Sequence, residues 1–117
     1  MKAIWWLLLA LPPLQAGEAD VVAVQTGREA AGSYRFDVTL RHTDEGWDHY
    51  ADAWEILSPD GDLLAKRVLY HPHVDEQPFT RSLSGVKIPA GLREVRVRAH
   101  DSRHGYGGKE VLVPLNR

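Results

Sequence analysis

Cysteine is absent from all 117 residues, and the initiator is the only methionine. That excludes disulfides, thiolate catalysis, iron–sulfur ligation and thioether copper(I) sites. A basic excess is missing too. The formal charge is −2 and the sequence pI is near 6.3, so no nucleic acid and no acidic membrane surface is expected as a partner. No apolar run reaches the roughly 20 residues of a membrane-spanning helix. No internal repeat, low-complexity tract or linker is visible. Phosphate loops, nucleophile elbows and regularly spaced zinc motifs are also missing. A fold of this length rests on its hydrophobic core alone, near the small end of what a core sustains.

The chain starts as a signal peptide does. Lys2 gives a positive start, Ile4 to Leu11 is a short apolar run, and Pro12 and Pro13 end it. Small residues follow at Ala16, Gly17 and Ala19. Residues 1–19 are read as the signal segment, cut after Ala16 or Ala19, which leaves one periplasmic or secreted domain over 20–117. No cysteine stands near the cut, which speaks against a bacterial lipoprotein anchor, and no membrane span is expected after cleavage.

The rest reads as seven short strands with no helical stripe. Ser33 to His42 alternates, with Tyr34, Phe36, Val38 and Leu40 on one face and charged or polar residues on the other, the period of a half-buried strand. Arg93 to His100 does the same with Val95, Val97 and Ala99. The other expected strands are Asp20 to Gln25, Tyr50 to Leu57, Leu63 to Tyr70, Phe79 to Leu83 (extending towards Ile88) and Glu110 to Leu115. Loops are expected at Gly27 to Ser33, at the Ser58-Pro59-Asp60-Gly61 turn, at Pro89-Ala90-Gly91 and at the glycine-rich Gly105 to Gly108. Seven such strands predict an all-β, immunoglobulin-like antiparallel β-sandwich.

Strand parity then locates the six histidines. In an antiparallel sandwich each connection switches ends. His42 and His49 flank the 2–3 connection, His71 and His73 lie in the 4–5 connection, and His100 and His104 in the 6–7 connection. All six fall at one end, with Asp44, Glu45, Asp48, Asp75, Glu76 and Asp101, while the opposite loops hold none. Loops on a rigid sandwich commonly carry function.

His71-Pro72-His73 sets two imidazoles two residues apart on a stiffened backbone, and imidazole suits zinc, copper, iron and nickel. Asp101, between His100 and His104, is a candidate ligand or a carboxylate that orients an imidazole. The metal-site candidates are therefore His42, His49, His71, His73, His100, His104 and Asp101. Trp47, Tyr50 and Tyr106 are candidate ligand-binding aromatics. The competing reading makes the histidines hydrogen-bonded loop closures, Trp47 a cap on the sandwich end, and Asp75, Glu76 and Arg81 a solvated loop.

Gly46-Trp47-Asp48-His49-Tyr50-Ala51-Asp52, His71 to Leu83 and Ala99 to Gly108 resemble an uncharacterised family of small exported bacterial β-domain proteins. The resemblance implies export and supplies no activity. His42-Thr43, His49 and Trp54-Glu55-Ile56-Leu57, with Asp101-Ser102-Arg103-His104-Gly105, also resemble the superoxide reductase domain of the desulfoferrodoxin family. That resemblance implies an immunoglobulin-like sandwich and mononuclear iron, with His42, His49 and His104 as transferred ligands. Asp101 stands where that family has its cysteine, and its early histidine has no counterpart in the first strand.

Three functions follow. The first is a metal-binding protein handling copper or zinc, with another exported protein as a candidate partner. The second is a mononuclear non-haem redox enzyme related to superoxide reductase, with iron. The third is a metal-free interaction module with an aromatic binding end.

Overall fold

The structure is a computed structural model that describes residues 17–115. Residues 1–16, which hold the charged and apolar parts of the expected signal segment, lie outside the described residues. Seven strands run in chain order: β1 (Asp20–Ala30), β2 (Ser33–Arg41), β3 (Ala51–Leu57), β4 (Leu63–Val68), β5 (Phe79–Lys87), β6 (Glu94–Asp101) and β7 (Val111–Pro114). All pairings are antiparallel. They form two sheets, ordered β1-β2-β5 and β4-β3-β6-β7. This is the β-sandwich that the strand count predicts, with the strand order of an immunoglobulin-like fold. No helix among the described residues is long and apolar enough to cross a membrane.

The core lies between the sheets. Tyr34, Phe36, Val38 and Leu40 of β2 face Val95, Val97 and Ala99 of β6, with Trp54 and Ile56 of β3 between them, all buried. Trp54 occupies the central strand where immunoglobulin-like sandwiches carry their core tryptophan, here without a disulfide beside it. Burying each large apolar side chain contributes about 1.5–3 kcal/mol.

Strand ends differ from the sequence reading by one or two residues in β2, β3, β4, β6 and β7, and by five at the end of β1. The loop expected from Gly27 is strand as far as Ala30, and the chain reverses over Ala31 and Gly32 alone. Residues 25–30 are exposed. Ladder hydrogen bonds to β2 hold them, so no apolar periodicity marks them. Gly32 takes φ of 74°, a left-handed conformation that glycine adopts without strain.

Successive connections alternate between the two ends of the sandwich, as antiparallel order requires. The loops after β2, β4 and β6 meet at one end: the Ser102 amide donates to the Tyr50 carbonyl and the Leu69 amide to that of Asp52. The start of β1 joins them, because the Val21 amide donates to the Lys109 carbonyl.

Candidate metal centre

Alternation does not stop where the ladders stop. The inward face of β2 continues past Leu40 to His42, and the inward face of β6 continues past Ala99 to Asp101. One residue from each sheet thereby closes the end of the apolar core, and both are buried. His49 reaches the same point from a turn. The Glu45 amide donates to the His49 carbonyl and the His49 amide to that of Gly46, with Gly46 at φ 107°.

The three side chains converge. Nε2 of His49 lies 2.8 Å from Oδ2 of Asp101, and Nε2 of His42 contacts the same oxygen. One ligand atom from each of His42, His49 and Asp101 falls within 4.8 Å of the others. The Gly17 carbonyl completes the cluster, 2.9 Å from Nε2 of His42.

Each imidazole is fixed from behind. Nδ1 of His42 hydrogen-bonds Oδ1 of Asp44 at 2.5 Å, and Nδ1 of His49 hydrogen-bonds Oε1 of Glu45 at 2.6 Å. A carboxylate on Nδ1 sets the tautomer that turns the Nε2 lone pair towards a metal. Asp44 is itself pinned, accepting from the amides of Ala51 at 3.0 Å and His73 at 2.6 Å. Oδ1 of Asp101 accepts from the amides of Arg103 and His104 at 2.6 and 2.7 Å. That turn, closed by Gly105 at φ 73°, aims Oδ2 at the histidines.

These contacts set the charges. Burial opposes ionisation of His42, but the hydrogen bond to Asp44 and the charges of Asp101 and Asp44 outweigh it and raise its pKa above the ordinary value. Burial likewise opposes ionisation of Asp101. The amides of His104 and Arg103 and the charges of His42 and His49 reverse that effect and lower its pKa. The pKa of Asp44 is lowered despite burial, by its hydrogen bond to His42 and by the two amides. The centre is thus a buried anionic pocket that a cation neutralises, whether proton or metal.

Two imidazole nitrogens, a carboxylate and a carbonyl suit zinc, copper(II) and iron(II). Donors around an ion with bonds of about 2.0–2.1 Å stand about 3.3 Å apart, so an ion would be admitted only once Oδ2 of Asp101 withdraws from both Nε2 atoms, further from that of His42 than from that of His49.

The remaining candidates fall around this centre. His104 sits at its rim, its ring 4.9 Å from His49 and its Nδ1 3.4 Å from Asp101, with the side chain 42% exposed. His71 and His73 pair with each other at 4.7 Å. His73 stacks on Phe79 and receives Arg81 on Nε2 at 2.9 Å, which places a guanidinium where a metal would bind. His100 is on the outer face of its sheet, bonded through Nδ1 to Asp52 at 2.5 Å. Tyr106 packs beside His100 beneath Arg98 and donates to Glu55 at 2.7 Å. Trp47 and Tyr50 meet edge to face at 5.7 Å.

The three histidines transferred by the reductase resemblance therefore gather around Asp101. Sequence reading missed Asp44 and Glu45 as orienting carboxylates, although the His-x-Asp and Glu-x-x-x-His spacings were available. It also missed Gly17, whose contribution is a backbone atom that no side-chain pattern marks.

No family model and no solved structure matches the chain. It is similar to a curated protein of Halomicrobium mukohataei named "Putative lipoprotein", 43% identical over 100 residues. The match covers 86% of this chain and 49% of that protein, so the chain spans about half the length of the curated relative it matches.

Proposed function

We propose that this chain is an exported β-sandwich domain that holds one transition-metal ion, copper or zinc, at His42, His49 and Asp101. The observation that carries the reading is the pair of carboxylate-backed imidazoles whose Nε2 atoms share Oδ2 of Asp101. Gly17 supplies a carbonyl to the same point, and His104 is the exposed ligand through which an ion enters. The name of the relative and the signal-like start support export to the periplasm or the exterior. Processing after Ala16 retains Gly17 in the site, whereas processing after Ala19 removes it. The role that follows is buffering or delivery of the ion, because His42, His49 and Asp101 are buried and His104, at the rim of the centre, reaches the surface.

The test is metal titration of the full chain without a histidine tag, using copper(II), zinc and iron(II) separately, followed by elemental analysis. One tightly held equivalent of copper or zinc is expected. His49→Gln is expected to weaken it by about 100-fold or more, and His104→Gln by about tenfold. Circular dichroism monitors the fold of each variant. No tight binding of copper or zinc by the folded wild-type chain would sink the reading and leave a proton-bridged loop closure.

A further inference from the structure

A second site lies at the same end of the sandwich and uses none of the proposed metal ligands. An open cleft of about 560 Å³ runs between the loop after β2 and the loop after β4, lined by Trp47, His71, Pro72, Val74, Asp75 and Glu76 among others. Its volume is in the range of small-ligand sites.

Trp47 is 67% exposed and Val74 54% exposed. The Trp47 indole meets the ring of Tyr50 at 5.7 Å with the two planes 72° apart. Trp47 and Val74 line one cleft rather than standing scattered over the surface. The polar side chains of the cleft are the carboxylates of Asp75 and Glu76 and the imidazoles of His71 and His73, and its lining includes no lysine or arginine. Arg81, just behind, is spent on His73 and Glu76. An anionic ligand would therefore meet two carboxylates in the lining and no unengaged guanidinium or ammonium.

From this we infer that the cleft binds a neutral saccharide chain, with Trp47 as its stacking platform. One face of a pyranose presents C–H groups, which pack on the electron-rich face of an indole. Its hydroxyls donate to carboxylates, the role of Asp75 and Glu76, and accept from an imidazole N–H, the role of His71. The open shape accommodates a chain running through rather than an enclosed monomer. A quaternary ammonium ligand would also suit an indole and carboxylates, but it is favoured where several aromatic rings enclose it. Here Trp47 is the one indole or phenyl ring among the lining residues.

The test is isothermal titration calorimetry of the full chain in chelator with neutral hexasaccharides: cellohexaose, xylohexaose, maltohexaose and chitohexaose. At least one is expected to bind saturably. Trp47→Ala should weaken that binding by about tenfold or more, and Trp47→Phe by less. Asp75→Asn combined with Glu76→Gln should weaken it several-fold. His49→Gln should leave it unchanged, which separates this site from the metal centre. The inference is overturned if none of the four binds at concentrations up to about 10 mM, if Trp47→Ala binds as the wild type does, or if choline binds and no saccharide does.

Discussion

Nε2 of His49 and Oδ2 of Asp101 stand 2.8 Å apart although 52 residues separate them in the chain. That contact ties the loop after β2 to the end of β6. The same oxygen of Asp101 also meets His42, which extends β2 of the other sheet. The two sheets are therefore joined at this end by a polar cluster where an apolar core would otherwise open to water. Burying these charges is costly unless each is paired. Asp44, Glu45 and the amides of Arg103 and His104 supply the pairing.

Asp44 should therefore matter to stability more than any exposed carboxylate of the same loop. Asp44→Ala leaves Nδ1 of His42 and the amides of Ala51 and His73 without their acceptor. The expected loss is about 3 kcal/mol in urea denaturation with chelator present. Asp48→Ala, an exposed carboxylate on that loop, should stay within about 0.5 kcal/mol of the wild type. Equal losses for the two variants would show that the Asp44 network contributes nothing specific.

Acid should weaken the fold through His73. Burial, the charge of Arg81 and the charge of His71 hold its pKa below the ordinary value. In the unfolded chain the group returns to about 6.5, so in mild acid the unfolded state binds more protons than the folded one. The stabilising contribution is complete above about pH 6.5 and is lost as pH falls towards the folded value. Denaturant midpoints measured at pH 7.5 and pH 5 should therefore fall further for the wild type than for His73→Gln. Parallel slopes would refute the assignment.

Parity was enough to bring the six histidines to one end, because it needs only the strand count and the antiparallel order. It could not sort them within that end. The sorting was nevertheless present in the alternation: residues 95, 97 and 99 face inward, so Asp101 follows them into the core and His100 goes outward with Arg96 and Arg98. The same rule carries His42 inward after Leu40. His49 obeys no period, since a turn between Glu45 and His49 positions it, and turn geometry is only weakly encoded in residue types. The extension of β1 to Ala30 was illegible for a related reason, because backbone bonds rather than buried side chains hold it.

His100 provides the direct check on that sorting. His100→Gln removes an imidazole on the outer face, bonded to Asp52 and packed against Tyr106. Metal stoichiometry should be unchanged and affinity within about twofold of the wild type, while stability shifts by no more than about 1 kcal/mol. Loss of the bound equivalent in His100→Gln would mean that the outer face supplies a ligand.

Gly108 tests whether the segment before β1 is part of the centre. A Cβ at this position would collide with the carbonyl of Ala19 and crowd Oδ1 of Asp20. Both are held close because the Lys109 amide donates to Oδ1 of Asp20 at 2.7 Å and the Lys109 carbonyl accepts from Val21 at 2.9 Å. Backbone cannot swing aside as a flexible side chain can, so Gly108→Ala must displace the 17–20 segment or the loop after β6. The expected destabilisation is about 2 kcal/mol. The displacement would also pull the Gly17 carbonyl from His42, so metal affinity should fall by about tenfold or more beyond what Gly32→Ala causes at the opposite end. If Gly108→Ala loses stability while metal affinity holds, Gly17 is a bystander and the centre is made by His42, His49 and Asp101 alone.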